Sequence, residues 1–291
     1  MSPSWSDALA DWRNQLIDEE KSPLTLTNYA ADLRLFAAWF AATYETEPVL
    51  DMLGPTVLRE WKQHQVDVKK HAPSSVNRRI ATLRSFLRWA NATGLAAEIR
   101  IPRSVRQVTP PPRWLSKKEQ LSLMRAVERT KDRRTIAIVT ILIHTGLRLA
   151  ELAGLTWEKI TITPRKGEVT VVGKGRKRRT IPLNTEARRA LETLRAMAGS
   201  NPHVIDGQRG PLKPRAIERV VQAVGISAKL KDFSPHVCRH TFCWNLAQAG
   251  VSLEQIAALA GHESLDTTRR YVEPGQEELA AAVEKLSGGE D

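Results

Sequence analysis

The second half of the chain carries an ordered series of side chains able to work on a phosphodiester. Arg148 lies in TGLRLAEL (145–152), Lys174 in VVGKGRKRRTIPL (171–183), His236 and Arg239 in SPHVCRHTF (234–242), and His262 and Tyr271 in LAGHESLDTTRRYVEP (259–274). A phosphodiester in its transition state gathers negative charge on its non-bridging oxygens, and two arginines can hold these with charge-assisted, bidentate bonds. A phenol has an ordinary pKa of about 10, so it needs a nearby base and a positive field to act as nucleophile. The leaving 5′ oxygen needs a proton, a task that suits Lys174 at a predicted hairpin tip. The glycines on either side of it let the tip approach a backbone closely, and five of the six residues 174–179 are basic.

Each segment alone has a plainer reading. Arg148 reads as the salt-bridge partner of Glu151, three residues on, and the hairpin reads as a solvated or localisation-type basic run. A phosphate-binding P-loop is excluded, because no Ser or Thr follows Lys174 and no helix follows the motif directly. His236, Arg239 and His240 stand at i, i+3 and i+4 and share one helical face. The two histidines have zinc-pair spacing with Cys238 and Cys243 nearby, but the motif lacks a catalytic Glu and Cys238 points off the shared face. No metal site is therefore expected. The absence of an acidic cluster argues against a two-metal nuclease. Tyr271 alone reads as a core or capping residue. The joint order of these groups is what points to phosphoryl transfer.

The 291 residues carry a net charge of +12, which predicts a polyanionic partner. Residues 1–100 hold 12 basic and 12 acidic side chains, so the whole excess falls on residues 101–291. Within the neutral part, residues 59–88 hold eight basic and two acidic groups, giving Lys69, Lys70, Arg78, Arg79, Arg84 and Arg88 as candidate phosphate contacts. Arg103 and Arg106 extend that set, as do Arg176, Lys177 and Arg178 on the hairpin. The most apolar stretch, residues 136–143, is far shorter than the roughly 20 residues of a membrane span. No secretory signal opens the chain, and two cysteines fit a reducing cytosol rather than a disulfide framework. The expectation is a cytoplasmic, DNA-associated protein.

The elements that must position these groups are mainly helical. Apolar periodicity predicts helices from Thr25 to Thr43, from Pro55 to about Lys70 and from Ser74 to Gly94, with Trp39, Trp61 and Trp89 in their core. Residues 99–113 hold four prolines and four arginines and read as a linker, dividing a helical domain (1–98) from a second domain (114–291). In the latter, Ser116 and Glu119 form a capping box, and residues 134–146 read as a buried helix. Residues 160–163, 168–172 and 177–183 read as a small three-stranded antiparallel sheet. Further helices are expected at about 184–198, 213–224, 235–250, 252–260, 264–271 and 275–286.

With these motifs in order, the chain resembles the tyrosine site-specific recombinases of the phage integrase family, and within it the short Xer-like members. The resemblance rests on TGLRLAEL, GKGRKRRTIPL, HVCRHTF and LAGHESLDTTRRY and extends over nearly the whole chain. It implies a SAM-like helical core-binding domain, a linker, and an α+β catalytic domain. It maps the catalytic set onto Arg148, Lys174, His236, Arg239, His262 and Tyr271. Tyr271 would form a 3′-phosphotyrosyl link, Arg148 and Arg239 would hold the phosphate, and Lys174 would serve the leaving oxygen. His236 would exchange a proton with the nucleophile, His262 would bond the phosphate, and Glu151 would brace Arg148. It implies strand exchange without metal, cofactor or ATP, by a tetramer of this chain, or with a related recombinase, on two double-stranded DNA core sites. The last 20 residues, six acidic and one basic, would dock on a neighbouring protomer from about residue 275. Fewer than 25 residues precede the first predicted helix, too few for a separate arm-site domain. Cys238 stands where the family often has Leu, and CWNLAQAG is bulkier than usual. The alternatives are a type IB topoisomerase and a non-catalytic DNA-binding regulator on the same fold.

Overall fold

The computed structural model describes residues 4–106, 112–173, 177–207, 210–262 and 264–271. The chain divides into two compact units between Thr109 and Pro110.

The N-terminal unit is helical: α1 Trp5–Asp18, α2 Pro23–Tyr44, α3 Pro55–Gln63, which continues into a π-helical turn at His64–Val68, and α4 Pro73–Ala92. Proline opens α2, α3 and α4, where its missing N–H would have no helical partner in any case. Helix α1 corrects the expectation that the first helix follows Ser22. Ser4 caps it, and Trp5, Ala8, Trp12 and Leu16 bury one face at spacings of three and four. The core is aromatic. Trp5 meets Phe86 edge-on at 5.0 Å and Trp39 lies 5.2 Å from Trp61, so Trp39, Trp61 and Trp89 are core residues as the periodicity predicts. The first part of the predicted linker is tied to this unit. Ile99 and Ile101 pack on its core, Asn77 exchanges two hydrogen bonds with the backbone of Val105, and Lys62 donates to the carbonyl of Arg103.

The C-terminal unit opens with α5 Lys117–Arg129, started by the expected Ser116–Glu119 capping box. Helix α6 Arg133–Thr145 is almost wholly buried and stops at Gly146 in the left-handed region, φ 61°. A β-carbon on Gly146 would lie 2.3 Å from the Phe242 ring, so only glycine fits the turn that leads to Arg148. Helix α7 Leu149–Ala153 follows. Strands β1 Ile160–Ile162, β2 Gly167–Val172 and β3 Arg178–Pro182 form one antiparallel sheet in that order, with Val169 opposite both Ile160 and Ile181. Period-two alternation turns Val169, Val171 and Ile181 inward and leaves Glu168, Val172, Arg178 and Thr180 outside.

Helix α8 Thr185–Ala198 packs on α6, and a two-residue pair of strands, β4 Asp206–Gly207 and β5 Gly210–Pro211, adds a hairpin that the periodicity did not indicate. Helices α9 Pro214–Ser227, α10 Pro235–Gln248, α11 Leu253–Ala260 and α12 Leu265–Arg269 complete the unit. A small second cluster of Phe242, Cys243, Ile256, Ala260 and Tyr271 joins α10, α11 and the end of α12. Cys238 is fully buried in the main core, and burial pushes its thiol well above the ordinary range. The predicted 275–286 helix and the docking tail lie outside the described residues. Among the described residues no helix is long and apolar enough to cross a membrane.

Candidate active site

The site is built around the C-terminal end of α11. Ser252 and Gln255 cap its start, and Gly261, at φ 67°, ends it. Terminal carbonyls of a helix lack helical partners and carry the negative end of its dipole. Three successive carbonyls here each accept from a different arginine. Arg179 donates from Nε to Leu259 at 3.0 Å, Arg239 from Nη2 to Ala260, and Arg148 from Nη2 to Gly261 at 2.6 Å. Arg239, only 6% exposed, also donates to the carbonyl of Gly146 at 2.7 Å, tying the turn after α6 to the end of α11. Burial, with Arg148 nearby, lowers its pKa to about 10, so it stays charged at neutral pH. A β-carbon on Gly261 would lie 2.9 Å from Arg179 Nη1, which closes that position to larger residues.

Glu151 holds two of these cations together. Its Oε1 accepts from Arg148 Nη1 at 3.0 Å and Arg179 Nη1 at 2.7 Å, while Oε2 accepts from the Arg148 backbone N–H at 2.7 Å and Arg179 Nη2 at 2.8 Å. Burial alone would raise its carboxyl, but the bonds from Arg179 and Arg148 outweigh burial and hold it below the ordinary range.

Tyr271 faces this cluster from just beyond α12. Its side chain is 5% exposed, and burial, with Cys243 beside it, pushes the phenol above its ordinary pKa against the pull of Arg239 and Arg270. Its hydroxyl is hydrogen-bonded to Nδ1 of His240. The His262 ring stacks on the phenol, with centroids 6.3 Å apart, and its Nδ1 pairs with Thr268 Oγ1 at 2.8 Å. Burial, followed by the charge of Arg239 and Arg148, pushes His262 down to about 4, so its ring is neutral above that pH.

Of the residues expected from the sequence, the structure gathers Arg148, Glu151, Arg239, His262 and Tyr271. His236 is exposed at the start of α10, and the phenol is bonded to His240 instead. Lys174 and Arg176 lie outside the described residues. Their neighbours Gly173 and Lys177, with Arg148, Arg179 and His262, line a cleft of about 170 Å³. Arg179 is the residue that sequence reading missed. It is counted among the basic hairpin residues, but strand alternation places it on the same inward face as Ile181, and its side chain is only 11% exposed. Among the described residues no three His, Cys, Asp or Glu side chains gather as metal ligands.

The candidate DNA contacts divide. Lys69, Lys70, Arg88, Arg103, Arg106, Lys177 and Arg178 are exposed. Arg84, Arg88 and Arg100 line a surface groove of about 330 Å³ in the N-terminal unit. Arg78 and Arg79 turn towards the buried Asp32, and Arg79, with 12% of its side chain exposed, also donates to Gln65. Arg79 is thus spent on packing.

The sequence pattern of the phage integrase family matches residues 113–278, and that of the phage integrase N-terminal SAM-like domain matches residues 9–94. Tyrosine recombinase XerC of Pelobacter propionicus is 32% identical over 277 residues, covering 91% of this chain and 89% of that protein. Tyrosine recombinase XerC of Corynebacterium efficiens is 34% identical over 275 residues, covering 90% and 84%. Among solved structures, the XerH site-specific recombinase in a post-cleavage complex with palindromic difH substrate aligns at TM-score 0.78 and 19% identity, covering 94% of this chain and 85% of that one. A lambda integrase dimer bound to a COC′ core site aligns at TM-score 0.74 and 18% identity, covering 95% and 98%. The chain belongs to the phage integrase family of tyrosine recombinases.

Proposed function

We propose that this recombinase cleaves and rejoins duplex DNA at short core sites through a 3′-phosphotyrosyl link on Tyr271, using neither metal nor ATP. One observation carries the reading: the Tyr271 hydroxyl is held by an imidazole, and three arginines, of which Arg148 and Arg179 line a cleft, converge on the end of α11. In the reaction, Oη attacks the scissile phosphorus, the P–O5′ bond breaks, and the phenolic proton leaves to a base. Lys174 gives a proton to the departing oxygen. Arg148 and Arg239 hold the non-bridging oxygens, and His262 bonds the phosphate. The phosphotyrosyl ester keeps the energy of the broken phosphodiester, so religation to a new 5′-hydroxyl needs no other source. The exposed basic groups of both units supply the salt-dependent grip on the backbone. Relatives named XerC, and solved structures of relatives on core-site DNA, support a DNA partner. Assembly as a tetramer on two sites, from this chain alone or with a related recombinase, belongs to the same reading.

A nicked suicide duplex carrying the core site tests it. Wild type should accumulate covalent protein–DNA adduct, and Tyr271→Phe should form none while still binding the duplex. Equal absence of adduct in both would sink the reading and favour a DNA-binding regulator. Relaxation of plasmids that lack the site would favour a topoisomerase.

A further inference from the structure

We infer that Thr268 is a positioning residue for the phosphate: its hydroxyl donates to Nδ1 of His262 and so keeps the ring proton on Nε2, ready for a non-bridging oxygen. The inference rests on the recombinase reading above and deepens it, naming the group that makes His262 a donor. Thr268 lies on α12 and is wholly buried, and its Oγ1 stands 2.8 Å from Nδ1 of His262. Among the described residues that nitrogen is the one hydrogen-bond partner of the hydroxyl. The His262 ring is nearly parallel to the Tyr271 phenol, at 14°, and lines the cleft with Arg148 and Arg179. The carbonyl of Thr268 accepts from the backbone N–H of Tyr271 at 3.0 Å. One residue thus holds the imidazole through its side chain and the nucleophile through its backbone.

The bond can run either way, and the buried hydroxyl chooses. A proton on Nδ1 would make Thr268 the acceptor and leave its own hydroxyl proton unpaired inside the protein, a costly state for a buried donor. It would also leave a bare lone pair on Nε2, which repels the oxygens of a phosphate. In the opposite direction Thr268 donates, Nδ1 accepts, and Nε2 carries the proton. Both groups are then satisfied.

The surroundings of the ring make this choice matter. Burial, then the charges of Arg239 and Arg148, with His240 and Arg179 further down, keep the imidazole neutral at pH 7. It therefore holds one proton and has one donor to offer. Nε2 makes no hydrogen bond among the described residues, so that donor is unspent in the free protein. A neutral ring adds a directed bond to the phosphate without adding another positive charge to guanidiniums that already repel one another. Thr268 also fixes how the ring is turned. Without its hydroxyl the ring is free to rotate or to take the other tautomer, and the donor loses its aim.

The test compares Thr268→Val, which keeps the shape and removes the hydroxyl, with Thr268→Ser, which keeps the hydroxyl. Both are made in the full chain and given a suicide duplex whose core site is recovered by selecting duplexes that the wild type binds. Thr268→Val should form adduct at least about tenfold more slowly at unchanged duplex affinity. Thr268→Ser should stay within about threefold of wild type, since it carries the same donor. In a His262→Ala background, Thr268→Val should slow the reaction no further. A loss that persists without the imidazole would make Thr268 a support of the α12 backbone and overturn the inference. Adduct formation by Thr268→Val at the wild-type rate would do the same. Nitrogen NMR of the free full-length wild type reads the tautomer directly and needs neither DNA nor a variant. His262 should be neutral at pH 7 with its proton on Nε2. A proton on Nδ1, or a charged ring at that pH, would refute the assignment even if Thr268→Val failed to fold. A wild type that traps no DNA overturns the recombinase reading, while the NMR result still decides the direction of the bond.

Discussion

Each unit of the molecule buries one carboxylate between two arginines, and the two arrangements differ in what they leave for the ligand. In the N-terminal unit, Asp32 Oδ2 accepts from Arg78 and from Thr82 Oγ1 at 2.9 Å. Its other oxygen has no hydrogen-bond partner and sits 3.9 Å from Arg79 Nε. In the C-terminal unit, Glu151 accepts four bonds, two on each oxygen, from Arg148 and Arg179. The saturated carboxylate fixes its guanidiniums in one geometry with nitrogens still aimed at the carbonyls of α11. The half-satisfied one holds Arg79 away from solvent and packs α2 against α4. The same chemical device thus serves positioning in one unit and packing in the other. What separates them is how completely the anion is bonded.

The largest effect should follow from removing the saturated anion. Glu151→Ala leaves Arg179 buried without a countercharge and should cost about 3–5 kcal/mol of the stability of the C-terminal unit, measured by urea unfolding of the full chain. The pH dependence adds a check. Because the folded carboxyl titrates below its ordinary value, its contribution is complete above that value and is lost as pH falls through the lowered one. The stability gap between wild type and Glu151→Gln should therefore narrow on acidification below about pH 4.5. A gap that is constant from pH 7 to pH 3 would mean that the charge of Glu151 contributes nothing.

Arg179→Met comes next. It leaves Glu151 bonded to Arg148 but frees one side of the hairpin and one carbonyl of α11. The expected cost is about 1–3 kcal/mol, with adduct formation slowed roughly 10- to 100-fold and duplex affinity little changed. Loss of affinity matching the loss of rate would make Arg179 a DNA contact rather than a brace.

The smallest effect should come from the unsaturated carboxylate. Asp32→Asn keeps the shape and the bond from Thr82. Arg78, with 49% of its side chain exposed, should lose only about 1 kcal/mol of pairing, and Arg79, which makes no hydrogen bond to Asp32, keeps its bond to Gln65. The released positive charge should tighten DNA binding at low salt and steepen its salt dependence by about one phosphate contact. An unchanged slope would mean that Arg78 does not face the backbone.

Much of this could be read from the residues alone. Spacing on single elements places Arg148 at a helix start, Arg239 one turn after His236, and the hairpin at 168–183, against Gly167–Pro182 in the structure. The Ser-Pro step at 22–23 is the stronger start signal and hides helix α1, although Trp5, Ala8, Trp12 and Leu16 carry the helical period. Arg179 reads as one more charge in a basic run, and only alternation along β3 turns it inward with Ile181. The bonds of His240 to Tyr271 and of Asp32 to Arg78 join residues 31 and 46 positions apart on different elements. No local period encodes such a contact. It exists only once α10 has met the end of α12, or α2 has met α4.

The row of carbonyls at Leu259, Ala260 and Gly261 has a mechanical consequence. Three guanidiniums share one short helix end, and each is also anchored elsewhere, Arg239 on the carbonyl of Gly146 and Arg148 and Arg179 on Glu151. A displacement of α11 therefore strains all three sets of bonds together, and the spacing of the cations holds only while that helix end stays in place. A partner that nudges α11 would act on every cation at once.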